Sequence, residues 1–126
     1  MKQVLLIDDD RDDAELFKEA LSEIDGSIAF EHCEDSRHVL KNISGKQDNL
    51  PDIIFLDINM PIVSGWECLA ELKKTNQLKD IPVIMFSTSS QTQEKELATK
   101  LGAVGFVTKP SDYQSLKNLL VSILKN

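Results

Sequence analysis

Five short apolar runs recur through the chain, at residues 4–7, 28–30, 53–56, 83–86 and 105–107, and stretches with helical periodicity separate them. The runs are rich in Val, Ile and Phe, and three of them barely alternate with polar residues. Strands covered on both faces have this look, because every side chain meets a neighbouring layer. Covering two faces of a sheet takes helices above and below it. Leu16, Phe17, Ala20, Leu21 and Ile24 fall on one helical face, and so do Trp66, Leu69, Ala70 and Leu72. Leu116, Leu119, Leu120, Ile123 and Leu124 make a third such face. The pattern predicts an α/β fold of (βα)5 type, a doubly wound parallel sheet of five strands joined by right-handed crossovers. Segment 91–101 is the least apolar of the predicted helices, with Leu97, Ala98 and Leu101 its only apolar residues, so a largely solvated helix is expected there.

The punctuation agrees. Asp12 and Asp13 set negative charge in the first turn of the first helix. Ser36 and Ser64 read as N-caps, and Gly102 as a helix stop. Pro51, Pro61, Pro82 and Pro110 sit at element boundaries, where a missing N–H does no harm. No linker or repeat interrupts the 126 residues, so a single domain spanning 1–126 with no output domain is expected. The net charge of −7 argues against nucleic acid as a partner and leaves metal cations or a basic protein surface. No apolar run approaches the roughly 20 residues of a membrane span. The run at 4–7 is also too short for a signal peptide, so the expected setting is the cytoplasm, with no membrane partner. Cys33 and Cys68 match neither a metal spacing nor a disulfide framework and read as reduced packing residues.

In open parallel sheets the site lies at the carboxyl ends of the strands. Here those ends carry Asp8 and Asp9, then Asp57, then Ser87 and Thr88, then Thr108 and Lys109. Taken singly, each has a plain structural reading, since Asp after a strand is often a cap and Lys-Pro is often a turn. Taken together they suit phosphoryl transfer to a carboxylate. Asp57 is the candidate nucleophile, already ionised and in need of no general base. Asp8 and Asp9 crowd like charge against it, which a hard, oxygen-seeking ion such as Mg2+ (or Mn2+) would relieve. Lys109 is a second cation for Asp57 and the phosphoryl group, and Ser87 offers a hydroxyl to a phosphoryl oxygen. His32 and His38 are expected far from this edge, as structural or exposed residues. Trp66 is expected to cover the start of its helix, and Pro61, Ile62 and Val63 to form an apolar loop near the site.

With LLIDDD at the first strand, IIFLDINMP at the third, IMFSTSS at the fourth and GFVTKP at the fifth, the chain resembles the receiver domains of two-component response regulators over residues 2–126. The resemblance implies a flavodoxin-like receiver fold with strand order 2-1-3-4-5 and Asp57 as phosphoacceptor. It implies a metal held by Asp9 directly, by Asp8 mainly through water, by Asp57, and by the main-chain carbonyl of Asn59. Ser87 and Phe106 would be the switch pair, and Thr88 a pocket neighbour where many members carry Ala or Gly. The phosphodonor would be a sensor histidine kinase. The segments DDAELFKEAL and DINMPIVSGWECLAELK are similar to the single-domain regulators that serve bacterial phytochromes, and the chemotaxis regulator is a further likeness.

The mechanism expected on this basis is a population shift. Phosphorylation would draw Ser87 toward the new oxygens, and Phe106 would turn inward, re-forming the face of the fourth helix, fifth strand and fifth helix. Shifting such a balance from off to on takes roughly 3–5 kcal/mol, within reach of a few charge-assisted hydrogen bonds. The signal would pass by protein contacts, to an effector, a phosphotransfer protein or a second copy through that face. The chain would not be an enzyme, beyond assisting its own phosphorylation and dephosphorylation. Three other readings stand beside this one. An aspartate-nucleophile phosphatase of the haloacid-dehalogenase type expects a second aspartate where Asn59 stands. A flavodoxin-like electron carrier would find its flavin phosphate repelled by the three aspartates. A pseudo-receiver that binds partners without phosphorylation would have little reason to keep the whole side-chain set.

Overall fold

The computed structural model describes residues 3–35, 50–58, 64–75, 78–88 and 91–124. Its elements run β1 (Gln3–Ile7), α1 (Arg11–Ile24), β2 (Ala29–Cys33), β3 (Ile53–Asp57), α2 (Gly65–Lys74), β4 (Val83–Ser87), α3 (Thr92–Lys100), β5 (Gly105–Thr108) and α4 (Tyr113–Leu124). The helix expected between β2 and β3, with its cap Ser36, falls outside the described residues. The predicted fourth and fifth helices are therefore α3 and α4.

All five strands are parallel, in the order β2-β1-β3-β4-β5. The continuous apolar runs now have their reason. Along β1, Leu5 and Ile7 point into a core shared with α2, while Val4 and Leu6 point into one shared with α1 and α4. Successive strand residues face opposite sides, and both sides are covered. On the α1 and α4 side Phe17 is the hub, its ring 5.0 Å from Phe55, 5.7 Å from Phe30 and 6.1 Å from Phe86.

Two expectations are corrected. Leu16, expected on the inner face of α1, is 43% exposed, and Ala14 takes the buried position. The second strand does not end with its apolar run at Phe30 but continues through Glu31 and His32 to Cys33. It is an edge strand, half-covered along most of its length, and tolerates polar residues that a central strand would not. Other features stand as expected. Ser64 caps α2, accepting from Glu67 N–H at 3.3 Å, and Gly102 ends the α3 turn at φ 101°. In α3 Ala98 is buried and Leu97 is 40% exposed. Both cysteines are free thiols, and burial pushes Cys68 up to about 12. Among the described residues no helix is long and apolar enough to cross a membrane.

Candidate functional site

The strand ends are knitted together by main-chain bonds before any side chain is considered. Asp8 N–H donates to the Cys33 carbonyl at 3.1 Å, Ile58 N–H to the Phe86 carbonyl at 3.0 Å, and Lys109 N–H to the Ser87 carbonyl at 2.7 Å. The residues that end β1, β3, β4 and β5 are therefore held at one edge. Gly65 N–H donates to the Ile58 carbonyl at 3.0 Å and sets the start of α2 against the same edge.

Asp8, Asp9 and Asp57 bring carboxylate oxygens within 4.8 Å of one another. Asp8 is 2% and Asp57 3% exposed, whereas Asp9 faces solvent. The third aspartate of the run serves the helix instead. Asp10 caps α1, its carboxylate accepting from Asp12 N–H at 2.9 Å and Asp13 N–H at 3.1 Å. The plain reading of the run, a turn opening a helix, is thus true of Asp10 alone. Asp8 accepts from Asp10 N–H at 2.9 Å and turns its other oxygen inward.

Lys109 reaches that oxygen, with Nζ 3.0 Å from Asp8 Oδ2, 3.2 Å from Asp13 Oδ2 and 3.6 Å from Asp57 Oδ1. Burial works against its charge, yet the carboxylates of Asp8 and Asp57 outweigh that and hold the ammonium well above the usual lysine value. The pairing with Asp57 is present, but the nearer partners are Asp8 and Asp13. From sequence Asp13 reads only as a dipole charge. Its place one turn into α1, on the side facing the strand ends, is the signal that could have found it.

His32 overturns an expectation. Its Nε2 lies 2.7 Å from the main-chain oxygen of Asp8, so it stands against the acidic edge and not far from it. The error follows from ending the second strand at Phe30. With the strand extended, His32 pairs in register with Leu6, two residues before Asp8.

Ser87 ends β4 at 1% exposure and donates its hydroxyl to Glu94 Oε2 at 3.3 Å. Phe106 is half-buried beside Met85 in register and packs against the core shared with α2. Thr88 is exposed and lines an open cavity of about 380 Å3 with Asp8, Asp13, Lys109 and Tyr113. Trp66 is partly buried at the start of α2, as expected. Asn59, the 61–63 loop and His38 lie outside the described residues.

This donor set is all oxygen, two-thirds of it buried, with one lysine to offset three clustered carboxylates. A hard divalent cation fits it and a soft one does not. The model of the response regulator receiver domain matches residues 4–121. The chain belongs to the response regulator receiver domain family. This receiver domain is 30% identical over 123 residues to the chemotaxis protein CheY of Halobacterium salinarum, covering 98% of this chain and 97% of that protein. Its fold matches the phosphorylated cyanobacterial phytochrome response regulator RcpA with a TM-score of 0.89 at 27% identity, over 98% of this chain and 91% of that one. It matches the Mn2+-bound response regulator Rcp1 with a TM-score of 0.86 at 25% identity, over 98% and 94% of the two chains. Against several other curated relatives the matched stretch spans between 32% and 36% of their length. Receiver domains of two-component systems are phosphorylation-type signalling switches.

Proposed function

We propose that this receiver domain accepts a phosphoryl group on Asp57 from the phosphohistidine of a sensor histidine kinase, in the cytoplasm. The observation that carries the reading is the buried carboxylate of Asp57 with the Lys109 ammonium at 3.6 Å and two further carboxylates beside it. In the transfer an Asp57 oxygen forms a bond to phosphorus, the bond from phosphorus to the imidazole nitrogen breaks, and that nitrogen retains the electron pair. Lys109 neutralises charge on the phosphoryl oxygens as it arrives. Its hold on Asp8 and Asp13 fixes it in place beforehand, so no reorganisation is needed at the moment of reaction.

Asp8, Asp9 and Asp57 would hold Mg2+ or Mn2+, with the Asn59 main-chain carbonyl that the family likeness adds. The Mn2+-bound state of Rcp1 supports that choice. When bound there, the cation would supply charge neutralisation on the transferring group. Ser87 and Phe106 then form the switch, Ser87 through its hydroxyl and Phe106 through packing alone, since it has no hydroxyl. The readout passes by protein contacts on α3, β5 and α4, to an effector, a phosphotransfer protein or a second copy, and the domain is not an enzyme acting on other substrates. Leu97, Val104 and Val121 are exposed apolar side chains available there.

The test is intact mass after incubation with Mg2+ and acetyl phosphate, beside Asp57→Asn. A gain of about 80 Da in the parent alone, and only with metal, is the expected result. No gain in a folded parent, with no response to beryllofluoride, would leave a phosphorylation-independent binding module.

A further inference from the structure

A hydroxyl has one proton to donate, and both a carboxylate and a phosphoryl group only accept. Ser87 gives its proton to Glu94 Oε2 at 3.3 Å. Glu94 is a half-buried residue in the first turn of α3, and Ser87 lies at the end of β4, where a phosphoryl group on Asp57 would meet it. Ser87 therefore serves either Glu94 or the phosphoryl group, and the two bonds exclude each other.

We infer that Glu94 is a latch on the unphosphorylated state, holding Ser87 away from Asp57 and the first turn of α3 against the sheet. The inference rests on the phosphoacceptor reading of Asp57. Among the described residues the packing of α3 is thin, since Ala98 is its buried residue and, Leu97 apart, its other side chains are polar. At 3.3 Å the bond is long for a hydroxyl on a carboxylate, which suits a contact that must be surrendered. Once Ser87 turns to the phosphoryl oxygens, the Glu94 carboxylate has lost that donor and faces added negative charge at Asp57. The first turn of α3 then moves away from the strand ends. Site and helix are thereby coupled through one proton. Because such coupling is reciprocal, whatever partner prefers the released α3 also raises the affinity of Asp57 for its phosphoryl group.

The experiment uses beryllofluoride with Mg2+ as a phosphoryl mimic, with affinity read by fluorine NMR titration. Amide hydrogen exchange over residues 92–100 is followed in parallel. Glu94→Ala should bind beryllofluoride about threefold to tenfold more tightly than the parent, the size expected of one lost hydrogen bond. Glu94→Gln keeps a carbonyl acceptor and should fall between them. Glu96→Ala removes the same charge from an exposed position on the same helix and should leave the affinity unchanged. In the parent, exchange over 92–100 should quicken when beryllofluoride binds, whereas in Glu94→Ala it should be fast already. Equal shifts from Glu94→Ala and Glu96→Ala would reduce the effect to bulk charge and overturn the latch. So would an unchanged affinity in Glu94→Ala while the parent binds normally. A parent that neither binds beryllofluoride nor gains mass from acetyl phosphate would overturn the Asp57 reading itself, and the latch with it.

Discussion

A main-chain carbonyl has no proton, so the 2.7 Å contact between His32 and the Asp8 oxygen requires Nε2 to carry the hydrogen. The Asp8 peptide is thus clasped from β2 twice, by His32 at its carbonyl and by the Cys33 carbonyl at its N–H. That clasp aims the carboxylates of Asp8 and Asp9, and its loss is felt wherever their aim matters. His32→Leu should weaken Mn2+ binding about fivefold by calorimetric titration, the worth of one hydrogen bond. His32→Gln, whose amide nitrogen reaches a similar place, should bind as the parent does. A leucine variant of parental affinity would reduce His32 to a packing residue. Among the site residues, those that end strands were legible in the sequence, because an apolar run points directly at the residue after it. Asp8, Asp57 and Ser87 are of that kind, and Lys109 lies one residue further on. His32 is 24 residues from Asp8, and Asp13 is 96 from Lys109. Strand register brings His32 to the site and leaves no local pattern to read, whereas Asp13 is marked only by its place in the first turn of α1.

The join between β3 and α2 is a matter of backbone against backbone. A methyl group on Gly65 would lie 2.4 Å from the Asp57 carbonyl oxygen and 2.7 Å from the Ile58 Cα, neither of which can swing aside. Glycine to alanine in a helix usually helps, by up to about 1 kcal/mol. Here overpacking costs about 1–3 kcal/mol and the sign reverses. Urea melts of Gly65→Ala should show that loss, while Gly26→Ala, with nothing within 4 Å of the new carbon, should be neutral or slightly stabilising. A stabilised Gly65→Ala would mean that α2 can slide along the sheet, and that its register against Asp57 is not fixed. From sequence the cap at Ser64 was legible, since serine before an apolar face has a mechanism. The demand on Gly65 was not, because it depends on how closely a strand 8 residues earlier approaches (Gly65 against Asp57). The weak anchoring of α3 was readable from its polar composition alone. The true end of β2 was not, because an edge strand has no need of an unbroken apolar run.

At the scale of the whole molecule the sheet order puts β3 in the middle with β1 beside it, so the acidic cluster sits at the end of the best-buried part of the fold. The five-run alternation made that architecture readable, while the strand order came from the family likeness. Burying carboxylates close together works against folding, and active sites commonly trade stability for chemistry in this way. Asp57→Asn removes one of the three clustered charges. It also removes the longest of the three Lys109 contacts, 3.6 Å, and leaves those to Asp8 at 3.0 Å and Asp13 at 3.2 Å. The relief should exceed the loss, so in metal-free buffer the asparagine variant should be more stable than the parent by about 1 kcal/mol. Mg2+ reverses the ranking in its own terms. A ligand bound by the folded state alone stabilises by about 2.7 kcal/mol at one hundred times its dissociation constant. The parent should rise by that amount, and the variant by less, having lost a charged ligand. Thermal melts of both proteins, with and without Mg2+ and with NaCl matching the ionic strength, separate specific binding from screening. If the parent is the more stable protein without metal and gains nothing from Mg2+, then Lys109 alone balances the cluster. The physical case for a cation at this edge would fall with that result.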